Sequence, residues 1–254
     1  MGETPHNRFQ DFFEEGHYLA LKNHLYNYLL RKRAVEKTLD PPPEGLVLEI
    51  GSGISPVMTR ARRIVYSDLS WDALAVLRQA QPRAGHVVAD GTRLPFSSGS
   101  AECVISSEVL EHVENDRQAI AEIARVLAPG GAFVVTFPHR QFYFAADDRF
   151  VRHYRRYELS DMLERLEAAG LQPVHVRKVL GPLEKLTMFS IVSAFALVQK
   201  LGLGAGGRQS SGFIRFAAPI FRLANRLFSV VARFDAWLMP RALATVLLVK
   251  ARKQ

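Results

Sequence analysis

Cysteine is what this sequence has least of. Cys103 is alone among 254 residues, which excludes an internal disulfide, and its place in an apolar run reads as a buried, inert thiol. A chain without disulfides suits a reducing compartment, so a cytoplasmic location is expected. The opening "MGETPHNRFQDFFEEGH" has no basic start leading into an apolar core and does not read as a secretory leader. His6, where serine or threonine is required, removes the myristoylation pattern from Gly2. The uncharged run Leu186 to Val198 is shorter than the roughly 20 residues that cross a bilayer, which excludes a spanning helix there. Acidic residues are the minority charge: 25 Asp and Glu face 33 Lys and Arg, leaving +8. That balance favours an anionic partner such as nucleic acid, a phosphorylated substrate or an anionic membrane. His139, Asp147, Asp148 and His153 lack a recognised ligand spacing, so no metal is expected.

What is present is the composition of a folded protein, 48% hydrophobic and 23% charged, long enough for one large α/β domain with an elaboration. Its centre is "LVLEIGSGISP", Leu46 to Pro56. A β-rich apolar run carrying Glu49 breaks at once into Gly51-Ser52-Gly53, the pattern of a buried parallel strand ending in a tight turn. In open α/β sheets ligands sit beyond the carboxyl ends of the strands, so this turn is the first place to look for a cofactor. A dinucleotide fingerprint would want glycine where Pro56 stands, which disfavours a nicotinamide-dependent oxidoreductase.

Downstream come "YSDLS" (Tyr66 to Ser70), "VVADGTRLPF" (Val87 to Phe96), "CVISSEVLEHVEN" (Cys103 to Asn115) and "IARVLAPGGAFVVTFP" (Ile123 to Pro138). In this order and spacing the five motifs resemble the class I S-adenosylmethionine-dependent methyltransferases, specifically a methyltransferase type 11-like branch, over roughly residues 44 to 180. The resemblance implies an α/β, Rossmann-like, seven-stranded and mostly parallel sheet, its last strand inserted antiparallel between the fifth and sixth. It divides the chain into an N-terminal helical lid (1–43), a cofactor-binding domain (44–180 plus 244–254) and a helical insertion (181–243). It implies S-adenosylmethionine as cofactor, held by Glu49, Gly51, Ser52, Gly53, Asp68, Leu69, Asp90, Gly91 and Glu108. Asp68 would meet the ribose hydroxyls and Asp90-Gly91 the adenine amino group. An N-cap at Asp68 and a plain turn at Asp90-Gly91 are the competing accounts.

A helix is expected from His17 to Leu39, stopped by Pro41-Pro42-Pro43, either as a lid or packed on the sheet. Glu108 and His112 are expected one turn apart on the helix after the fourth strand, with His112 a base or a cofactor-side residue. The next helix should end at Pro129-Gly130-Gly131. The loop His139 to Tyr157 should carry the acceptor chemistry. There Asp148, His153, Arg155, Arg156 and Tyr157 resemble a branch whose acceptors are carried on lipid or sugar intermediates. An acid beside a histidine suits deprotonation of a hydroxyl, which makes His153 with Asp148 the catalytic candidates. His139, Arg155, Arg156 and Tyr157 are then substrate-binding candidates, the arginines suiting phosphate or carboxylate. Anchoring of the helix from Leu159 to Ala169 is the rival account for Tyr154, Arg155 and Tyr157.

The expected strands Leu171 to Val179 and Thr245 to Ala251 are separated by far more chain than the fold needs, and such a stretch should have its own structure. It holds the apolar run Leu186 to Val198, the flexible "GLGAGGRQSSG" (Gly202 to Gly212) and an amphipathic segment from Phe213 to Met239, with Pro219 dividing or kinking it. Arg215, Arg222, Arg226 and Arg233 share one helical face. Phe213 to Trp237 therefore suits an anionic membrane surface, peripheral on its inner face. A homodimer contact or plain packing are the alternatives, and the aromatics lack the interleaving of an RNA module, which argues against nucleic acid. The expectation is methyl transfer to a small-molecule or lipid- or sugar-linked acceptor. The alternative is a non-catalytic membrane-associated adaptor that kept the fold.

Overall fold

The computed structural model describes residues 23–187 and 211–254. Strands β1 (Leu46–Ile50), β2 (Arg63–Asp68), β3 (Gly85–Val88), β4 (Ala101–Ser107), β5 (Leu127–Pro138), β6 (Leu171–Leu180) and β7 (Val246–Lys253) form one seven-stranded sheet in the order β3-β2-β1-β4-β5-β7-β6. The pairs among β1 to β5 are parallel, and β7 lies antiparallel to both β5 and β6. The central strands read as continuous apolar runs because helices cover both faces. The order reverses between β1 and β4, which opens a crevice at their carboxyl ends where a ligand can reach backbone.

Helices α1 (Tyr26–Thr38), α2 (Trp71–Ala80), α3 (Asp116–Val126), α4 (Ala146–Phe150), α5 (Leu159–Ala168) and α6 (Ser211–Leu238) complete the chain, and residues 182–187 are also helical. Ser70 caps α2 by accepting from Ala73 N, and Asn115 caps α3 by accepting from Gln118 N. One face of the sheet buries Leu48, Val104, Phe133 and Phe137 with Ile120 and Ile123 of α3 and Met162 and Leu166 of α5. The other buries Val47, Ile105, Val134 and Leu248 with Tyr28, Leu30 and Val35 of α1 and Ala232 of α6.

α1 therefore packs into the core. The rest of the expected lid, through residue 22, lies outside the described residues, as do the apolar run from residue 188 and the glycine-rich stretch up to residue 210.

Several boundaries differ from expectation. The helix stop at Pro129-Gly130-Gly131 is absent: β5 begins directly after α3 and carries those residues as a bulge, where Ala101 pairs with Leu127 but Cys103 pairs with Ala132. α6 runs continuously through Pro219. No α-helix starts at Glu108. Glu108 has φ +56, a short 3₁₀ turn follows at Leu110–His112, and α3 begins at Asp116. The expected one-turn alignment of Glu108 and His112 is therefore not formed.

Candidate active site

The turn after β1 is shaped by its glycines. Gly51 and Gly53 have φ of +66 and +51, the left-handed region that side chains resist. A Cβ on Gly51 would sit 2.4 Å from Val109 Cγ2, so the turn and the loop after β4 touch. On Gly53 a Cβ would come no nearer than 4.0 Å to Asp68 Oδ2, leaving open space in front of the turn. Gly51 N and Ser52 N both donate to Ser67 O, at 2.7 and 3.1 Å.

Asp68 Oδ2 accepts from Gly53 N at 2.8 Å and Oδ1 from Ser70 N at 2.9 Å. Each carboxylate oxygen keeps a second lone pair, so the acid ties the two turns together and can still meet a hydroxyl. Leu69 is 51% exposed on the rim beside it. Asp90 is exposed and folds its Oδ1 onto Thr92 N and Oγ1, both at 2.8 Å, an Asx turn with Gly91 beside Ile50.

Glu49, expected among the cofactor residues, is occupied by backbone. Its oxygens accept from Val57 N at 2.7 Å and Met58 N at 3.0 Å, and the side chain is buried. It fastens the segment after the glycine turn and positions that turn from behind. Burial pushes its carboxyl up to about 7, against the pull of those two donors.

The hydroxyls of Ser52, Ser55, Ser67 and Ser106 are buried and have no hydrogen-bond partner among the described residues. Ser52, Ser67 and Ser106 belong to the ends of β1, β2 and β4. Buried polar atoms without partners are rare in folded proteins, and three of these four gather at the strand ends beside the glycine turn. With the open face of Gly53, the free lone pairs of Asp68 and the apolar rim at Leu69, this edge suits a nucleoside carrying a charged tail.

The loop after β4 continues the site. Ser107 Oγ and Thr136 Oγ1 are 2.8 Å apart, and Thr136 Oγ1 donates to Glu108 Oε1 at 3.2 Å. Glu108 holds a left-handed backbone conformation that costs about 1–2 kcal/mol in a residue with a side chain. Such strain is commonly kept where a side chain must point at a ligand.

In the loop from His139 to Tyr157, His153 Nδ1 meets Asp148 Oδ1 at 2.9 Å. A carboxylate only accepts, so Nδ1 carries a proton and the ring is held with Nε2 turned toward Glu111. Asp148 also accepts from Arg156 Nε at 2.8 Å and Lys185 Nζ at 2.6 Å, and Lys185 pairs with Asp147 at 2.7 Å. Burial alone would raise the Asp148 carboxyl. The His153 bond, Arg156, Lys185 and the Ala145 N–H outweigh it and hold the group well below the usual carboxylate range.

The expected substrate-binding set fares differently. Arg156 is buried against Asp148. Arg155 pairs with Asp116 at 3.1 Å and donates to Glu114 O at 2.8 Å. Tyr157 is buried and donates to Asp116 Oδ2 at 2.8 Å. His139 is buried, its Nδ1 2.8 Å from Ala244 O. All four are held by other parts of the chain and build the loop. The anchoring account of this segment fits the geometry.

What reading the sequence missed is Glu111. Its backbone oxygen accepts from Tyr154 N at 2.8 Å, which ties the loop after β4 to the loop after β5. Its carboxylate is fully buried, with no hydrogen-bond partner for either oxygen among the described residues. His153 Nε2 lies 3.8 Å from Oε1, and the His112 and His153 rings meet edge to face at 4.6 Å. The Glu-His pair in "VLEHVE" at a strand's carboxyl end was the available signal.

A family model described as "Methyltransferase domain" matches residues 48–135. A protein of Mycolicibacterium smegmatis named a probable S-adenosylmethionine-dependent methyltransferase is 30% identical over 124 residues, 48% of each chain. A demethylmenaquinone methyltransferase of Renibacterium salmoninarum is 31% identical over 116 residues, 44% of this chain and 49% of that one. The chain thus matches about half the length of these curated relatives. A geranyl diphosphate methyltransferase solved with S-adenosylmethionine superposes with a TM-score of 0.58 at 16% identity, covering 88% of this chain and 85% of the other. Residues 48–135 accordingly match a methyltransferase domain, and the sheet built around them has the fold of the S-adenosylmethionine-dependent methyltransferases.

Proposed function

We propose that this protein methylates a lipid or lipid-linked acceptor from S-adenosylmethionine while seated on an anionic membrane surface. When bound, the cofactor supplies a methyl group on a sulfonium. Gly51, Ser52 and Gly53 let backbone approach it, Asp68 takes the ribose hydroxyls, and Asp90 and Leu69 border the base. Glu108 lies between that end and the Glu111–His153 pair. There a buried carboxylate and an imidazole nitrogen face each other at 3.8 Å, next to where an acceptor would meet the methyl group. Alignment and the exclusion of water are the chain's main contributions to the transfer.

The observation that carries the membrane part is α6. Asn225, Phe228, Ala232 and Ala236 turn toward the body of the protein; Tyr26 N donates to Asn225 Oδ1 at 3.1 Å and the Tyr26 and Phe228 rings pack at 4.7 Å. The opposite face carries Leu223, Leu227, Val230, Val231, Phe234, Trp237 and Leu238, every one more than half exposed. Spaced by threes and fours, they make a single stripe, on the order of the few hundred Å² at which an apolar patch marks an interaction site. Arg222, Arg226 and Arg233 are exposed along one shoulder of the stripe. Apolar side chains beside guanidinium groups complement acyl chains beside lipid phosphates. Among the described residues no helix is long and apolar enough to cross a membrane, and the reading requires only that α6 lie in the interface.

The test uses methyl-labelled S-adenosylmethionine, the purified chain, anionic vesicles and a host extract, partitioned between organic solvent and water, with calorimetry of cofactor binding alongside. Label in the organic phase is expected. Label confined to the aqueous phase overturns the lipid acceptor. Vesicle binding without cofactor binding would leave a non-catalytic adaptor.

A further inference from the structure

We propose that Glu111, His112 and His153 form a binding site for one divalent first-row transition-metal ion, which rests on the methyltransferase reading for what the ion does and not for whether it binds. One donor atom from each of the three lies within 4.8 Å of the others. Two imidazole nitrogens and a carboxylate oxygen are a familiar donor set for zinc, iron and manganese. Bonds of about 2.0–2.2 Å require the donors to close by about 1 Å, within reach of side-chain rotation.

Three observations point to a cation rather than to an ordinary buried cluster. The Glu111 carboxylate is fully buried and neither oxygen has a hydrogen-bond partner among the described residues, a costly arrangement for a group built to be ionised. The group facing it is His153 Nε2 at 3.8 Å, on a ring whose other nitrogen is held by Asp148. Asp148, held in turn by Arg156 and Lys185, is the outer carboxylate that orients a ligating histidine in metal sites. Of the nearby cations, Lys185 pairs with Asp147 and Asp148 and Arg156 with Asp148, while Arg31, whose charge also reaches Glu111, reaches Ser107 Oγ at 3.5 Å. No lysine or arginine among the described residues pairs with Glu111.

The site joins two loops that the Tyr154 N to Glu111 O bond holds together, next to Glu108. Three protein ligands leave open coordination positions, so the ion would take an oxygen-bearing acceptor and lower the pKa of its hydroxyl.

The experiment takes the untagged full chain, strips it with chelator and titrates it with Co²⁺, followed by visible absorption, and with Zn²⁺ by calorimetry. S-adenosylmethionine binding is measured in parallel. One ion per chain is expected, with affinity falling at least tenfold in Glu111→Gln and in His112→Ala. A loss of ten- to a hundredfold is expected in Asp148→Asn, which touches no ligand atom of the ion. Glu111→Gln keeps the shape and removes the buried charge, so circular dichroism should show it folded. No stoichiometric uptake by the wild type overturns the site and leaves a shared proton between His153 and Glu111. Uptake unchanged in a Glu111→Gln, His112→Ala double variant overturns it as well. Cofactor bound without metal sinks this inference alone; metal bound without cofactor sinks the methyltransferase reading and leaves the site standing.

Discussion

The two ends of the active-site crevice are built in opposite ways. At the glycine turn the geometry comes from the backbone, and the polar groups are left over: four buried serine hydroxyls have no hydrogen-bond partner among the described residues, and Asp68 keeps lone pairs to give. At the loop from His139 to Tyr157 the buried charges are numerous and paired within the chain. Asp148 holds His153, Arg156 and Lys185, while Asp116 holds Arg155, Arg165 and Tyr157. Density of charge in a sequence therefore does not locate a binding surface. Unpartnered buried carboxylate oxygens mark it more narrowly, and near this loop they belong to Glu111 and Glu184.

The sharpest way to break this contrast is at the turn. Gly51→Ala forces a methyl group to 2.4 Å from Val109 Cγ2 at φ +66, and overpacking plus left-handed strain should cost about 2–5 kcal/mol. Gly53→Ala, at φ +51 but with open space ahead, should cost only about 1–2 kcal/mol of stability, because it carries the strain without the clash. Its methyl would instead enter the ligand's space and weaken cofactor binding by at least tenfold. Urea melts and cofactor calorimetry on both variants check the split. Equal stability losses, or full affinity in Gly53→Ala, would remove the turn's claim to the cofactor.

At the other end, Asp148→Asn removes the shared partner of three cationic or imidazole groups in a buried place. Breaking such a cluster strands its partners, and the expected loss is about 3–5 kcal/mol by urea denaturation. A loss under about 1 kcal/mol would mean that the cluster is solvated and that the loop is freer than described.

The same contrast explains what was legible in the sequence. The individual strands and the glycine turn were readable because apolar runs and glycines are local signals, whereas the sheet order and its antiparallel last strand were what the resemblance of the five motifs implied. Asp68 and Gly53 stand where the motif placed them. The fates of Arg155 and Arg156 were not readable, since their partners Asp116, Glu114 and Asp148 depend on how two loops meet, and Lys185 reaches in from beyond β6. Glu111 was passed over because the stretch after β4 was expected to be helical. A left-handed Glu108 and a single 3₁₀ turn aim the Glu-His pair inward instead.

Glu49 offers a pH handle on the turn end. Its carboxyl is raised to about 7 by burial from an ordinary value of 4.5. A folded value above the unfolded one means that the folded chain keeps its proton after the unfolded chain has lost it. Stability is thus highest at acid pH and falls as pH rises from about 4.5 through 7, by up to about 3 kcal/mol. Glu49→Gln abolishes that slope while losing one acceptor for Val57 N or Met58 N, at about 1–3 kcal/mol. Wild type should exceed the variant most at pH 5 and least at pH 8 in paired melts. A gap that widens with pH would show the carboxylate ionised throughout.

Arg155→Gln should have the smallest effect and yet discriminate best between the two accounts of the charged loop. If Arg155 bound an acceptor's phosphate or carboxylate, as its place in the loop suggested, the change would raise KM or lower kcat by a hundredfold or more while leaving the melt untouched. The geometry predicts the reverse. Arg155 is partly exposed and pairs with an Asp116 that still has Arg165 at 3.3 Å and the Tyr157 hydroxyl at 2.8 Å. A partly exposed pair with such backup should cost no more than about 1 kcal/mol, and turnover should stay within about threefold, the change in rate for well under 1 kcal/mol. The decisive reading is the ratio of the two losses. Stability lost with activity kept assigns Arg155 to the scaffold of the loop, because Asp116 anchors α3, Tyr157 and α5 together. Activity lost with stability kept would return the arginine to the acceptor, and would mean that the Asp116 pair opens whenever substrate arrives.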